Sequence, residues 1–418
     1  MQCVKKINNI LYSSNIIYAD YIATGKPCKI IENYIIENIY PYYSNPHSNA
    51  YASKIISNHI NSTKEYIRSS MKLKPNQVII FTGTGATAAT NHLARSLDLS
   101  HYNKISIILS LYEHHSNFLP WYELQRHNSN IRIFIIPLTD EGELDYEWYY
   151  KLLQTLKNEE IIITSVTACS NVIGIHTDIK LLRNIIRKTI GCTKGLLFVD
   201  YACSAPYVAI DLSIINAAFF SMHKFIGGIS TPGLLICDKE LFAQKEPITC
   251  GGGCVKKADS EGVIYDDNLE KREEAGTINI IGQIKTKLVL MLKDLYLHSH
   301  IEKNEKFLTR YIHNKLSFIC NQYPGVNVLF LNKQINNRLP IICININGCH
   351  HNNIVKMLSD KNIMTRGGIA CCGLFGEFIK KKYGFTGWCR ISFHWLMTID
   401  EVNYILKCIE DVAKIYNI

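Results

Sequence analysis

Lys224 stands where a lysine can act as an amine instead of a solvated cation. The apolar run Ala217-Ala218-Phe219-Phe220 leads into Ser221-Met222-His223-Lys224-Phe225-Ile226-Gly227-Gly228, and Gly233-Leu234-Leu235-Ile236-Cys237 follows. Burial disfavours the ammonium form, and a neutral amine can condense with a carbonyl cofactor to give a Schiff base. Taken alone, the stretch suits a turn lysine facing water equally well. Other residues add to the choice. Gly83-Thr84-Gly85-Ala86-Thr87 follows one apolar run and opens a helical pattern, where small residues, backbone N–H groups and a hydroxyl can cradle a phosphate or simply turn the chain. Glu113-His114-His115-Ser116-Asn117 follows another run. A histidine there can stack on a planar cofactor and pass protons, and Ser116 or Asn117 can cap the next helix. Asp200 ends Leu196-Leu197-Phe198-Val199, where an unpaired carboxylate is costly; a protonated ring nitrogen would pair it, and so would a salt bridge or a helix cap. Arg366-Gly367-Gly368-Ile369-Ala370-Cys371-Cys372-Gly373 reads as a flexible glycine-rich loop carrying thiols beside a cation. Arg390 precedes Ile391-Ser392-Phe393 and can fork onto a carboxylate, in a substrate or in a surface salt bridge.

These residues need a scaffold that brings loops together. Seven short runs rich in β-branched residues recur at 77–82, 104–109, 131–136, 161–166, 196–200, 217–221 and 233–237. Helical spacing fills most of the gaps among the first five, as at 87–96, 146–157 and 178–189. Strands buried on both faces and alternating with helices predict an α/β unit with a mostly parallel seven-stranded sheet flanked by helices, and ligands gather at the carboxyl ends of such strands. After Gly276 the pattern changes to helices at 279–298 and 302–322, strands at 326–331 and 341–347, a helix at 353–359, a short strand at 390–393 and a last helix at 399–416. This predicts three parts: an N-terminal segment, 1–17, packing on the small domain; a large ligand-binding domain, 18–280; and a smaller α+β domain, 281–418.

Composition narrows the function classes. With 418 residues, 47% of them hydrophobic and 19% charged, the chain reads as an ordinary globular protein. The net charge of +9 is scattered, and Lys380-Lys381-Lys382 is the longest basic run, so nothing resembles a basic stripe interleaved with aromatics that would bind nucleic acid. Fifteen cysteines, an odd number without a framework of short spacings, suggest free thiols in a reducing compartment. Neither Cys250-Gly-Gly-Gly-Cys254 nor Cys371-Cys372 has zinc spacing, and no metal is expected. No apolar run is long enough for a membrane span and the first residues lack a secretory pattern, so a cytoplasmic enzyme is the expectation.

The motifs in their order, from Tyr18-Ala19-Asp20-Tyr21-Ile22-Ala23 to Arg390-Ile391-Ser392-Phe393-His394, resemble the class V aminotransferase family of pyridoxal-phosphate enzymes, and within it the cysteine desulfurases and selenocysteine lyases. The resemblance implies an aspartate aminotransferase-like fold (fold type I) and pyridoxal 5'-phosphate as cofactor. It implies that Lys224 forms the Schiff base, that Ser221, His223 and the turn Gly85-Ala86-Thr87 hold the phosphate, that His114 stacks on the ring and that Asp200 keeps the ring nitrogen protonated. Asn171 is implied near the cofactor oxygen and the substrate carboxylate, and Arg390 on that carboxylate. Thr277, in Glu274-Ala275-Gly276-Thr277, is implied to reach the phosphate of a partner subunit, hence a homodimer. Cys371 matches the desulfurase nucleophile. L-cysteine would then displace Lys224, the freed amine would move the α-proton, and alanine would leave while a persulfide stays on Cys371 for a sulfur-acceptor protein.

Three positions depart from the family pattern. Cys203 stands where a glutamine usually contacts the ring oxygen, Ala88 where a glutamate follows the phosphate turn, and Ile369-Ala370 where some desulfurases have two histidines. A thiol is a weak hydrogen-bonding partner, so Cys203 would tune that oxygen differently. Alternatives to the desulfurase remain in view: selenocysteine lyase, kynureninase-like or aminotransferase chemistry, or a non-catalytic binding protein with this fold.

Overall fold

The computed structural model describes residues 10–46, 48–192 and 194–416, so the first nine residues of the expected N-terminal segment lie outside it. A short strand, β1 (Ile17–Tyr18), pairs in parallel with β13 (Ile363–Met364) far along the chain. The helix α1 (Lys29–Tyr34) and the long α2 (Tyr51–Ser70) come next. In α2, Ser53, Ile56, Ile60, Thr63 and Ile67 are buried at spacings of three and four, which is the stripe a helix needs to pack on a neighbour. That neighbour is α8 (Ile280–Tyr296), whose Ile280 and Ile284 close a cluster with Ile35, Ile39, Ile56 and Ile60.

The seven apolar runs form one sheet. Its strands are β2 (Gln77–Thr82), β3 (Ile105–Ser110), β4 (Ile131–Ile136), β5 (Ile161–Thr167), β6 (Gly195–Asp200), β7 (Ala217–Ser221) and β8 (Gly233–Asp238), in the spatial order β2-β8-β7-β6-β5-β3-β4. All pairings are parallel except the two made by β8. Alternate residues feed opposite faces. Ile108, Leu197, Val199, Ala218, Phe220 and Leu234 join one core, while Ile107, Leu109, Phe198, Ala217, Phe219 and Leu235 join the other. Each buried Val, Leu, Ile or Phe among them contributes about 1.5–3 kcal/mol, which is why these strands are mostly apolar on both faces. Two of the helices between them start at side-chain acceptors for free N–H groups: Asp145 caps α5 (Tyr146–Thr155), and Asp178 caps α6 (Ile179–Thr189).

The C-terminal part holds a four-stranded sheet in the order β11-β12-β15-β14, with β11 (Val326–Val328), β12 (Ile341–Ile346), β14 (Arg366–Gly368) and β15 (Trp388–Ser392). The helices α9 (Glu302–Gln322), α10 (His351–Ser359), α11 (Gly373–Tyr383) and α12 (Ile399–Ile415) accompany it, the last beginning with a Thr398–Glu401 capping box. The expected strand 326–331 stops at Val328 because Phe330 adopts a left-handed backbone, φ 51°. The expected loop from Arg366 is not wholly flexible, since its first three residues pair with β15. The hairpin of β9 (Val255–Asp259) and β10 (Gly262–Tyr265) was not foreseen, as its Val-Lys-Lys-Ala-Asp strand is exposed along almost its whole length and carries no apolar face. Among the described residues no helix is long and apolar enough to cross a membrane.

Candidate active site

The carboxyl ends of β3, β5, β6 and β7 open into a cavity of about 750 Å³ that also receives the turn after β2 and the C-terminal segments around Arg366, Cys371 and Arg390. That is the place an open parallel sheet offers a ligand, and the volume suits a small molecule.

Lys224 ends a single helical turn, Met222–Lys224, immediately after β7. The N-terminal segment clasps this turn from outside. Gly25 N–H donates to the His223 carbonyl (2.9 Å), and a Cβ on Gly25 would sit 2.1 Å from the Phe225 carbonyl oxygen, so no other residue fits there. Lys224 lines the cavity, and enclosure pulls its ammonium below the usual lysine value, with Cys203 and Asp200 opposing that shift. Asp200 is 3% exposed, accepts from Ala202 N–H (2.8 Å), and is raised above the usual carboxylate range by burial.

The anion cradle is built from both sides. Gly85 opens α3 (Gly85–Ser96) with φ 56°, and Ala86 N–H donates to Ser221 Oγ at 2.9 Å. A Cβ on Gly85 would lie 2.7 Å from Ser221 Oγ and 3.7 Å from His223 Nε2, filling the space that these groups surround. Thr87 Oγ1 and Ser116 Oγ are 2.6 Å apart at its rim. The hydroxyls of Ser221, Thr87 and Ser116 and the N-terminus of α3 form a donor set matched to a phosphate.

His114 is the cap of α4 (His115–His127), a role expected of Ser116 or Asn117. Its Nδ1 accepts from Ser116 N–H (3.1 Å) because the imidazole reaches back over the first turn. With Nδ1 an acceptor, the proton of the neutral ring resides on Nε2. Burial, aided by the nearby Lys224, lowers the His114 pKa to about 3, so the ring is neutral at any working pH.

Behind it Glu113, 1% exposed, receives Ser110 Oγ and Thr167 N–H (2.8 Å) on one oxygen and Asn117 Nδ2 (2.7 Å) on the other. Burial nevertheless raises its pKa to about 8. A carboxyl whose folded pKa exceeds its unfolded value holds its proton in the fold while the unfolded chain releases one. Its contribution to stability therefore declines as pH rises from the unfolded value, near 4.5, through about 8. In urea denaturation at pH 5 and pH 8.5, Glu113→Gln is expected to lose less stability across that interval than the wild type; an equal loss would refute this assignment.

The two neighbouring thiols have opposite fates. Ala370 and Cys371 both adopt left-handed backbone (φ 52° and 56°), a strained pair for residues with a Cβ. The twist sends Cys371 to the exposed cavity mouth and Cys372 into the core, where its Sγ donates to Asn171 Oδ1 (2.9 Å) and burial pushes its pKa far up. The loop is tied to the large lobe: Asn171 Nδ2 donates to the Ala370 carbonyl (3.0 Å), His115 N–H to the Cys371 carbonyl (2.8 Å), and Gly373 N–H to His115 Nε2 (3.2 Å). Cys203 is buried at the cavity wall, where the neighbouring Cys169 and then Lys224 lower its pKa against the burial that raises it.

Of the expected residues, Gly85, Ala86, Thr87, His114, Asn171, Asp200, Cys203, Ser221, His223, Lys224, Cys371 and Arg390 converge on this cavity. Thr277 does not. It lines a separate cleft of about 400 Å³ with His92, Arg95 and Glu273. Arg390 is not simply open to a ligand: Nη2 donates to Asp20 Oδ1 (2.8 Å) and Nη1 to the Asn171 carbonyl (3.1 Å). Asp20, which joins Arg390 to Arg366, is a residue that motif reading did not assign; its one available signal was an aspartate inside the otherwise apolar and aromatic Tyr18–Ala23.

The Aminotransferase class-V family model matches residues 17–405. The chain belongs to the class-V aminotransferase family. This class-V chain is 26% identical over 406 residues to a probable cysteine desulfurase of Staphylococcus aureus (strain COL), spanning 96% of this chain and 92% of that one. It is 27% identical over 424 residues to a probable cysteine desulfurase of Borreliella burgdorferi, spanning 98% and 94%. In shape it is similar to the apo cysteine desulfurase of Thermococcus onnurineus NA1 (TM-score 0.86, 24% identity, 98% of each chain). It is also similar to a cysteine desulfurase of Escherichia coli (TM-score 0.80, 20% identity, 98% of each chain). Fold type I, read from the resemblance, is thus the fold of this class-V aminotransferase.

Proposed function

We propose that this class-V enzyme is a pyridoxal 5'-phosphate-dependent cysteine desulfurase that converts L-cysteine to L-alanine and keeps the sulfur as a persulfide on Cys371. The observation that carries the reading is an exposed thiol on a strained loop at the mouth of the cavity that the half-buried amine of Lys224 lines.

The residues present fit the cofactor. The cradle that a Gly85 Cβ would fill suits its phosphate, with Ser221, His223 and Thr87 as side-chain partners. Asp200 would take the ring nitrogen, His114 the ring face, Cys203 the ring oxygen, and Lys224 would attach the group covalently. Once bound, the cofactor supplies an electron sink for charge developing at the substrate α-carbon. Lys224, set free as the amine, moves the proton at that carbon, and its lowered pKa keeps it able to accept one. Arg390 and Asn171 orient the substrate carboxylate. The Cys371 thiolate then attacks the substrate sulfur, an S–S bond forms as the Cβ–S bond breaks, and alanine leaves. Thr277 is assigned to the phosphate of a second copy, which would make the working unit a homodimer. The persulfide would pass to an acceptor protein. A reducing cytoplasm suits the cysteines of the described residues, all of them free.

The test is to incubate the cofactor-loaded protein with L-cysteine and a reductant and to measure alanine and sulfide. Equimolar formation of the two supports the reading, and absence of alanine overturns it.

A further inference from the structure

In the small sheet, Arg366 on β14 lies directly opposite Arg390 on β15. Like charges facing each other across an antiparallel pair repel, and Arg390 is 3% exposed, so water does little to screen it. One carboxylate offsets both. Asp20, brought in by the bridge between Asp20 and Ser392, turns Oδ1 to Arg390 Nη2 (2.8 Å) and Oδ2 to Arg366 Nη2 (2.8 Å) and Nε (3.1 Å). The two arginines differ in what lies beyond them. Arg390 holds the Asn171 carbonyl and retains an enclosed Nε–H without a partner, while Arg366 starts the strand that runs into Cys371.

We propose that Asp20 is a positioning residue that links the substrate carboxylate site to the thiol loop. Without substrate it is shared between the two arginines. A carboxylate that engages Arg390 competes for that guanidinium, and Asp20 is left to Arg366, which secures the strand leading to Cys371. This inference rests on the desulfurase reading for the identity of the substrate, though not for the linkage itself.

Three measurements on cofactor-loaded protein test it: L-alanine affinity from the shift in cofactor absorbance, the rate of Cys371 alkylation by iodoacetamide without ligand, and kcat for alanine formation from L-cysteine. Asp20→Asn removes the internal competitor, so L-alanine binding is expected to tighten by about threefold to tenfold. The same change releases Arg366, so alkylation speeds up and kcat falls by about tenfold or more. Arg366→Gln, at a half-exposed side chain that folding tolerates, leaves Asp20 wholly to Arg390, so it is expected to reproduce the alkylation and kcat effects while L-alanine binding weakens, the opposite of Asp20→Asn. The double variant should be no worse than Asp20→Asn, because both changes cut one link.

A merely structural Asp20 would lose binding and turnover together. Weaker L-alanine binding in Asp20→Asn, wild-type alkylation in either single variant, or additive effects in the double variant would overturn the proposal. If wild type forms no alanine from L-cysteine, the desulfurase reading fails on its own, and the affinity and alkylation results still decide the role of Asp20.

Discussion

Lys224→Ala is expected to lower alanine formation from L-cysteine by at least about a thousandfold. The size follows from the absence of a substitute. His114 is held neutral with a pKa near 3, and the second nearby base, His223, is lowered to about 4 by burial, then by Lys224. Neither presents a strong base on a flexible arm. The cradle of Gly85, Ser221 and Thr87 is untouched by the substitution, so the cofactor should remain bound without its covalent tether and change its absorbance. A small amine such as methylamine should restore part of the rate, since the cavity left by the lysine side chain admits one. Turnover within tenfold of wild type would remove Lys224 from the centre of the chemistry.

The second large effect is expected at Cys371. Serine there keeps the shape but cannot hold sulfane sulfur, so alanine formation should fall by about a hundredfold or more and no persulfide should be found on the protein by mass spectrometry. Cys372→Ser is the control. Its Sγ is buried and donates to Asn171 Oδ1, a bond that a hydroxyl can replace, so activity within about threefold of wild type is expected. The reverse ranking of the two variants would move the nucleophile to Cys372, against its burial.

What could be read from the sequence had local causes. The strands announced themselves because both faces are buried, as at Phe219 and Phe220, which enter different cores. Lys224, Asp200 and Gly85 were legible because each directly follows or ends such a strand. The resemblance pointed to Cys371, but the different exposure of Cys371 and Cys372 was not legible, since adjacent thiols are equivalent until the left-handed backbone at Cys371 separates them. The pairing of Arg390 with Asp20 was hidden for a different reason: the partners are 370 residues apart. Helix α2 was missed because its buried stripe includes Ser53 and Thr63, residues that carry no apolar signal.

The clasp formed by the first described residues has a consequence for timing. Ile17 and Tyr18 pair with Ile363 and Met364, Asp20 with Arg366 and Arg390, and Gly25 seals the Lys224 turn. Asp20 thus waits for partners that lie 346 and 370 residues further along the chain. Contacts of such sequence separation close late and slowly. The lysine-bearing turn can form with the large sheet, but the surroundings of Arg390 and the thiol mouth come into being only when residues 363–390 have closed onto residues 17–20. A chain folded only as far as the large sheet would therefore carry the Lys224 amine without the thiol of Cys371 at its mouth.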